Sequence, residues 1–247
     1  MSKAASLGFA VIAYAVFLAT FLYLIGFVGD LAALPRTVDR GLEGPLGQAI
    51  AVDLALIALF GVQHSVMARK GFKHAWTRIV PVQAERSVYV LAASLVLIVL
   101  FAFWHPIEGT VWLASGALAT VLWVVFAIGW ALVLLSTFLI NHFELFGLQQ
   151  AWFHARGREA AAPQFRQPLL YKQVRHPLYL GFLVAFWATP HMTYGHLLLA
   201  AGMSIYILIA IRHEERDLVA LFGRDYEDYR EKVGMLTPRF GRGAPIK

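Results

Sequence analysis

Six apolar stretches separated by short polar loops set the pattern of this chain: Leu7 to Val28, Ala49 to Val66, Val88 to Trp104, Val111 to Ile140, Leu178 to Thr189 and Gly195 to Ile211. A helix needs about 20 apolar residues to cross the hydrocarbon core of a bilayer. The first four stretches meet that requirement, and the last two read as a shorter helical hairpin. The pattern predicts an all-α fold: a polytopic transmembrane helical bundle of five to six membrane segments that continues into a cytoplasmic C-terminal helix. The stretch from Val111 exceeds a perpendicular crossing, so tilt or a bend near Gly129 is expected to absorb the excess. Residues 1–247 read as a single integral membrane domain without internal repeats or low-complexity tracts.

Composition and charge sharpen this picture. With 59% hydrophobic and 15% charged residues and a mean hydropathy of +0.63, the chain carries more apolar surface than a water-soluble domain of ordinary composition can bury. Its basic residues gather in two loops: Arg69, Lys70, Lys73, Arg78 and Arg86 after the second stretch, and Arg156, Arg158, Arg166, Lys172 and Arg175 after the fourth. Both loops are expected on the cytoplasmic side. That places the turns around 36–46, 105–110 and 190–194 on the other side and both termini inside. Anionic headgroups of membrane lipids beside those loops account for the net charge of +6, and nucleic acid is not an expected partner. The first stretch is too long for a signal-peptide core and no small-residue cleavage site follows it, so it is expected to remain as an anchor. Absence of cysteine excludes disulfides, iron–sulfur clusters and cysteine-ligated zinc. No polar stretch has room for repeated βαβ units of about 30 residues each, so a nucleotide-like ligand has to be held by helix ends and loops.

Two motifs flanking the final hairpin concentrate the polar chemistry. The first is Arg175-His176-Pro177-Leu178-Tyr179-Leu180-Gly181. Proline is favoured at the first position of a helix, so Arg175 and His176 form the lip of a helix start. The N–H groups and positive dipole end of such a lip attract an anion such as a carboxylate. Arg175 or His176 can add a charge-assisted hydrogen bond, and Gly181 lets a ligand or a helix approach closely. The same residues equally suit an interfacial anchor, with a snorkelling arginine, a belt tyrosine and a packing glycine. The second motif runs from Glu214-Glu215-Arg216 into Phe222-Gly223-Arg224-Asp225-Tyr226-Glu227-Asp228-Tyr229. Arg212, Glu215 and Arg216 share a helix face, where a partly buried carboxylate can take an ammonium group and Arg212 a second polar group. The plainer alternative is a solvated salt-bridge cluster. Phe222-Gly223 reads as a helix stop, and the Tyr226 and Tyr229 pair as core packing.

The ordered set Arg-His-Pro-x-Tyr-x-Gly, hydrophobic hairpin, Glu-Glu, Phe-Gly-x-x-Tyr-x-x-Tyr, spanning about Arg175 to Pro238, resembles the isoprenylcysteine carboxyl methyltransferase and phospholipid methyltransferase superfamily. With Gln63-His64-Ser65-Val66-Met67-Ala68-Arg69, Glu85-Arg86-Ser87-x-Tyr89-Val90-Leu91 and Asn141-His142-Phe143-Glu144-Leu145-Phe146-Gly147, nearly the whole chain is similar to the membrane-bound methanethiol S-methyltransferases. The resemblance implies S-adenosylmethionine as donor, bound from the cytoplasm at the bacterial inner membrane, and methanethiol converted to dimethyl sulfide. Carried onto this sequence, it makes residues 175–238 the donor-binding hairpin and C-terminal helix. Arg175, His176, Pro177, Tyr179 and Gly181 would line the donor site, and Glu215 with Glu214 would bind the donor's amino-acid end. Arg212 would lie near donor or acceptor. In the superfamily the corresponding arginine goes with a carboxylate acceptor, which methanethiol lacks.

Thiolate attack on a sulfonium methyl group merges two opposite charges into neutral thioethers, so a site with little water favours it. Alignment of the two sulfur centres contributes up to about 7–11 kcal/mol in the best intramolecular cases. An alkyl thiol is no more acidic than a cysteine at about 8.5, so a proton acceptor helps. His64, His142 and Glu144 are the candidates, with His64 first. Interfacial hydrogen bonding is the plainer role for either histidine, and the donor's own charge can favour the thiolate without any base. Two other readings stand beside this one: a relative acting on a lipid or prenylated carboxylate, and a haem or redox component using some of the nine histidines. The histidines cluster at segment ends, which disfavours haem, and Asp53 is expected near the opposite interface, away from the donor site.

Overall fold

The computed structural model describes residues 1–158 and 164–239. In chain order the elements are α1 (Lys3–Val28), α2 (Leu46–Ala68), α3 (Lys70–Trp76), α4 (Val82–Phe103), β1 (Thr110–Leu113), α5 (Gly116–Ile140), α6 (His142–Leu145), α7 (Leu148–Arg156), α8 (Pro177–Trp187), β2 (His191–Thr193), α9 (Tyr194–Phe222) and α10 (Arg224–Lys232), with a 3-10 turn at Leu169–Lys172. Helices α1, α2, α4, α5 and α9 are long and apolar enough to cross a bilayer. The protein is an all-α polytopic membrane protein. Its described backbone forms two compact units, residues 1–113, 142–158 and 191–202 in the first, and 114–141, 164–190 and 203–239 in the second.

In the first unit α4 packs against both α1 and α2, and α7 lies against α1 and α4. Large side chains fill the seam at one end: Phe27, Leu100 and Trp104 are almost wholly buried, and Phe27 meets Phe101 at 4.9 Å between ring centroids. The three turns expected to share a side do gather here. Leu42 N–H donates to the Trp104 carbonyl, the Trp104 indole N–H to the Val38 carbonyl at 3.0 Å, and Gly195 N–H to the Ile107 carbonyl. Asp53 belongs to the same end, accepting the His105 backbone N–H at 3.0 Å.

The run beginning at Val111 departs from expectation. It opens as β1, antiparallel to β2 with Thr110 opposite Thr193 and Trp112 opposite Met192. Thr110, Val111 and Trp112 are β-branched or aromatic residues that suit a pleated strand, so helix α5 starts only at Gly116 and is unbroken through Gly129. The strand, rather than a bend at Gly129, takes up the excess length. The final hairpin is uneven: α8 has 11 residues, about 16 Å at 1.5 Å per residue, whereas α9 has 29 and runs past the apolar stretch through Glu215 to the expected stop at Phe222.

In the second unit the bare faces of two glycines meet. A Cβ on Gly181 of α8 would lie 2.8 Å from the Gly129 carbonyl oxygen and 2.8 Å from Val133 N of α5. Such small-residue contacts let membrane helices approach closely. Trp130 stands edge-on to Phe182 at 5.7 Å in the same seam. Gly223, at φ 56°, ends α9 and turns the chain into α10, whose Tyr226 and Tyr229 pack with Val233, Phe165, Leu218 and Phe222.

Candidate functional site

The residues expected to line a donor site meet within the second unit. His176 occupies the N-cap of α8 and Pro177 its first position, as the missing proline N–H predicts. Glu215 projects from α9 to both lip residues: its Oε1 accepts the Arg175 Nε–H at 2.8 Å and lies 3.1 Å from His176 Nε2. All three are withdrawn from water, with side chains 7%, 4% and 13% exposed for Arg175, His176 and Glu215. Glu215 therefore pairs across the fold and not with Arg212 or Arg216 of its own helix, both of which are exposed. Its Oε1 has two donors. Among the described residues its Oε2 has none, and this oxygen is the open face of the carboxylate.

Arg175 is held from several directions. Its Nη1 donates to the carbonyls of Arg230, at 3.0 Å, and Val233. The backbone alongside forms a parallel bridge between Val174 and Gly234, with Arg175 N–H donating to Gly234 and His176 N–H to Met235. These N–H groups serve the C-terminal segment and are not available to an anion. The guanidinium expected to meet a ligand carboxylate instead joins Glu215 to the end of α10. Charge pairing compensates part of the cost of burying both ions, and the added hydrogen bonds supply the rest.

Around this centre, Tyr179 lies beside His176 with 5.7 Å between ring centroids, and Glu214 is half-buried. Gly181 directs its bare face to α5. Burial raises the phenol pKa of Tyr171, Tyr226 and Tyr229 well above the ordinary range, with Glu214 adding to the effect on Tyr171 and Glu215 to the other two. These phenols stay neutral donors. Tyr229 donates to the Tyr171 carbonyl.

The acceptor-side candidates lie in the first unit, where three sequence motifs come together. His64 Nε2 is 2.7 Å from the Tyr89 hydroxyl, and its ring stacks on Phe60 at 5.2 Å. Arg86 lies over the Tyr89 ring and donates to the Leu145 carbonyl at 2.9 Å. Gly147, at φ 87°, approaches Ser87 so closely that a Cβ would sit 2.8 Å from Ser87 N. His142 is buried, its Nε2 2.7 Å from the Tyr14 hydroxyl, and burial holds its pKa below the ordinary histidine value. Glu144 is exposed. Each histidine thus engages a tyrosine. Sequence reasoning missed both phenols, although Tyr89 stands inside one of the motifs, twenty-five positions from its histidine.

The chain has relatives of known name over most of its length. Residues 54–240 match the family described as NnrU protein. The chain is 54% identical to the methanethiol S-methyltransferase of Mycobacterium tuberculosis over 226 residues, covering 91% of this chain and 92% of that protein. It is 51% identical to methanethiol S-methyltransferase 2 of Bradyrhizobium diazoefficiens over 238 residues, 96% of this chain and 92% of that protein. Nurim of Homo sapiens is a more distant relative, 33% identical over 199 residues, 77% of this chain and 73% of its own length. No solved structure matches the chain.

Proposed function

Because the chain belongs to the NnrU protein family and matches methanethiol S-methyltransferases over nine-tenths of its length, we propose that it methylates a small thiol, converting methanethiol to dimethyl sulfide. It is a thiol S-methyltransferase embedded in the membrane, and it uses a methyl donor. S-adenosylmethionine is the donor that fits the residues present.

The observation that carries the donor assignment is the Glu215 carboxylate. One oxygen is saturated by Arg175 and His176, which fixes its direction; the other is open. An α-ammonium group suits that open oxygen, and half-buried Glu214 adds negative charge beside it. Arg175 already offsets Glu215, so Glu214 restores the net attraction that a cationic ligand meets. His176 and Tyr179 supply ring surface at the lip. When bound, the donor sulfonium supplies an electrophilic methyl group. The thiol sulfur forms the new bond to carbon, the sulfonium bond to that carbon breaks, and the thiol proton leaves. The candidate proton acceptors of this reading are His64, His142 and Glu144, with His64 first, and a tyrosine hydroxyl engages Nε2 of each histidine. The positions of the basic loops support a cytoplasmic orientation of the donor-binding residues in this reading, at the bacterial inner membrane.

The test is incubation of purified protein with labelled S-adenosylmethionine and a panel of thiols, phospholipids and prenylated carboxylates. Labelled dimethyl sulfide is the expected product, and label confined to lipid or carboxylate would overturn the proposal.

A further inference from the structure

Two tyrosines on one face of α10 end differently. The Tyr229 hydroxyl donates to a carbonyl. That of Tyr226, a residue only 2% exposed, is sealed from solvent and has no hydrogen-bond partner among the described residues. Buried tyrosine hydroxyls normally find partners, and those that do not call for an explanation. Rotation does not relieve this one, because its ring is fixed edge-on to Phe165 at 5.9 Å and against Tyr229 at 5.7 Å. The charged groups that act on it are Glu215, Arg175 and Glu214. These are groups assigned above to the donor site, and among the described residues Glu215 Oε2 likewise has no partner.

We propose that Tyr226 is a further binding residue for the donor's amino-acid head, its hydroxyl oxygen accepting a hydrogen bond from the ammonium group anchored on Glu215 Oε2. This rests on the reading of Glu215 as a donor-binding residue. The hydroxyl is covered in the ligand-free protein, so the head reaches it as the Glu214 and Glu215 side chains adjust, a scale of movement common on binding. An unmet hydroxyl penalises the empty protein and is relieved by ligand, so removing it strengthens the empty state while weakening the bound one.

Full-length protein in detergent and its Tyr226→Phe variant test this through calorimetric binding of S-adenosylhomocysteine and of methylthioadenosine, which lacks the amino-acid head, together with ligand-free thermal unfolding. For S-adenosylhomocysteine the variant Kd should rise about tenfold, equal to about 1.4 kcal/mol. Methylthioadenosine Kd should stay within about twofold, and the ligand-free Tm should be unchanged or higher. Unaltered S-adenosylhomocysteine affinity overturns the inference. So does a lower ligand-free Tm with both ligands weakened together, which marks the hydroxyl as structural. If the unaltered protein binds neither ligand, the donor reading itself has failed; if it binds and the variant matches it, only the role of Tyr226 has.

Discussion

Replacing Arg175 with lysine separates an internal strut from a ligand contact. The guanidinium makes three bonds, to Glu215 Oε1 at 2.8 Å and to the carbonyls of Arg230 and Val233. A lysine ammonium keeps the charge but not the fork, so up to two of the three are lost. At about 1.5–3 kcal/mol for a hydrogen bond to a charged group, the ceiling on the loss is about 3–6 kcal/mol. Water reaching the freed carbonyls offsets part of it, leaving about 2–4 kcal/mol. With about 2–4 °C per kcal/mol for a chain of this size, Tm should fall by roughly 5–15 °C. Donor affinity should fall as well, since Glu215 loses the partner that sets its direction. Thermal unfolding in detergent and calorimetric titration with S-adenosylhomocysteine read the two effects. A variant of unchanged Tm but weak donor binding would show that the guanidinium touches ligand directly. One normal in both would refute the strut.

Other substitutions test separate parts of the fold. Gly181→Ala should cost about 1–3 kcal/mol, because the new methyl meets the α5 backbone at 2.8 Å. Gly129→Ala meets Ala185 N at 2.7 Å, and the double variant should cost less than the sum, since the first already separates the helices; additive losses in thermal unfolding would contradict a shared seam. Tyr229→Phe should lower stability by about 1 kcal/mol through loss of the bond to Tyr171, opposite in sign to Tyr226→Phe, and equal behaviour of the two variants would contradict the distinction. Unfolded histidine titrates near 6.5 and burial holds His142 lower in the folded protein, so between those values the unfolded chain binds more protons. The stability from the neutral ring is full above about pH 6.5 and is lost as pH falls through the folded value. Tm should therefore drop more between about pH 7.5 and 5.5 in the unaltered protein than in His142→Gln, and equal slopes would remove His142 as the source.

The membrane helices were legible because bilayer insertion depends on summed apolar length, a local property of sequence. One misjudgement came from that same signal. Hydropathy cannot separate a strand from a helix when both are apolar, so residues 111–113 merged with α5. It also stops at the first charges, but the shared face of Arg212, Glu215 and Arg216 and the Phe222-Gly223 stop carried the last helix further, and α9 ends at Phe222. At the site, the helix start at Pro177 was readable from proline's missing donor. The partners of Arg175 were not, because carbonyls are common to every residue and these lie 55 and 58 positions away. Core packing was the right expectation for the Tyr226 ring, but a pattern of apolar positions says nothing about where its hydroxyl ends.

The stitching of residues 174–176 to 234–235 bears on how the protein is made. The segment that completes this link lies after the last membrane-spanning helix, which ends at Phe222, so every membrane helix is synthesised before the residues that tie Arg175 and His176 in place. Insertion and catalytic competence are then separate events in biogenesis. A message cut short just before Val233 should yield a protein that reaches the membrane, occupies its place there, and draws nothing from the cell's pool of methyl donor.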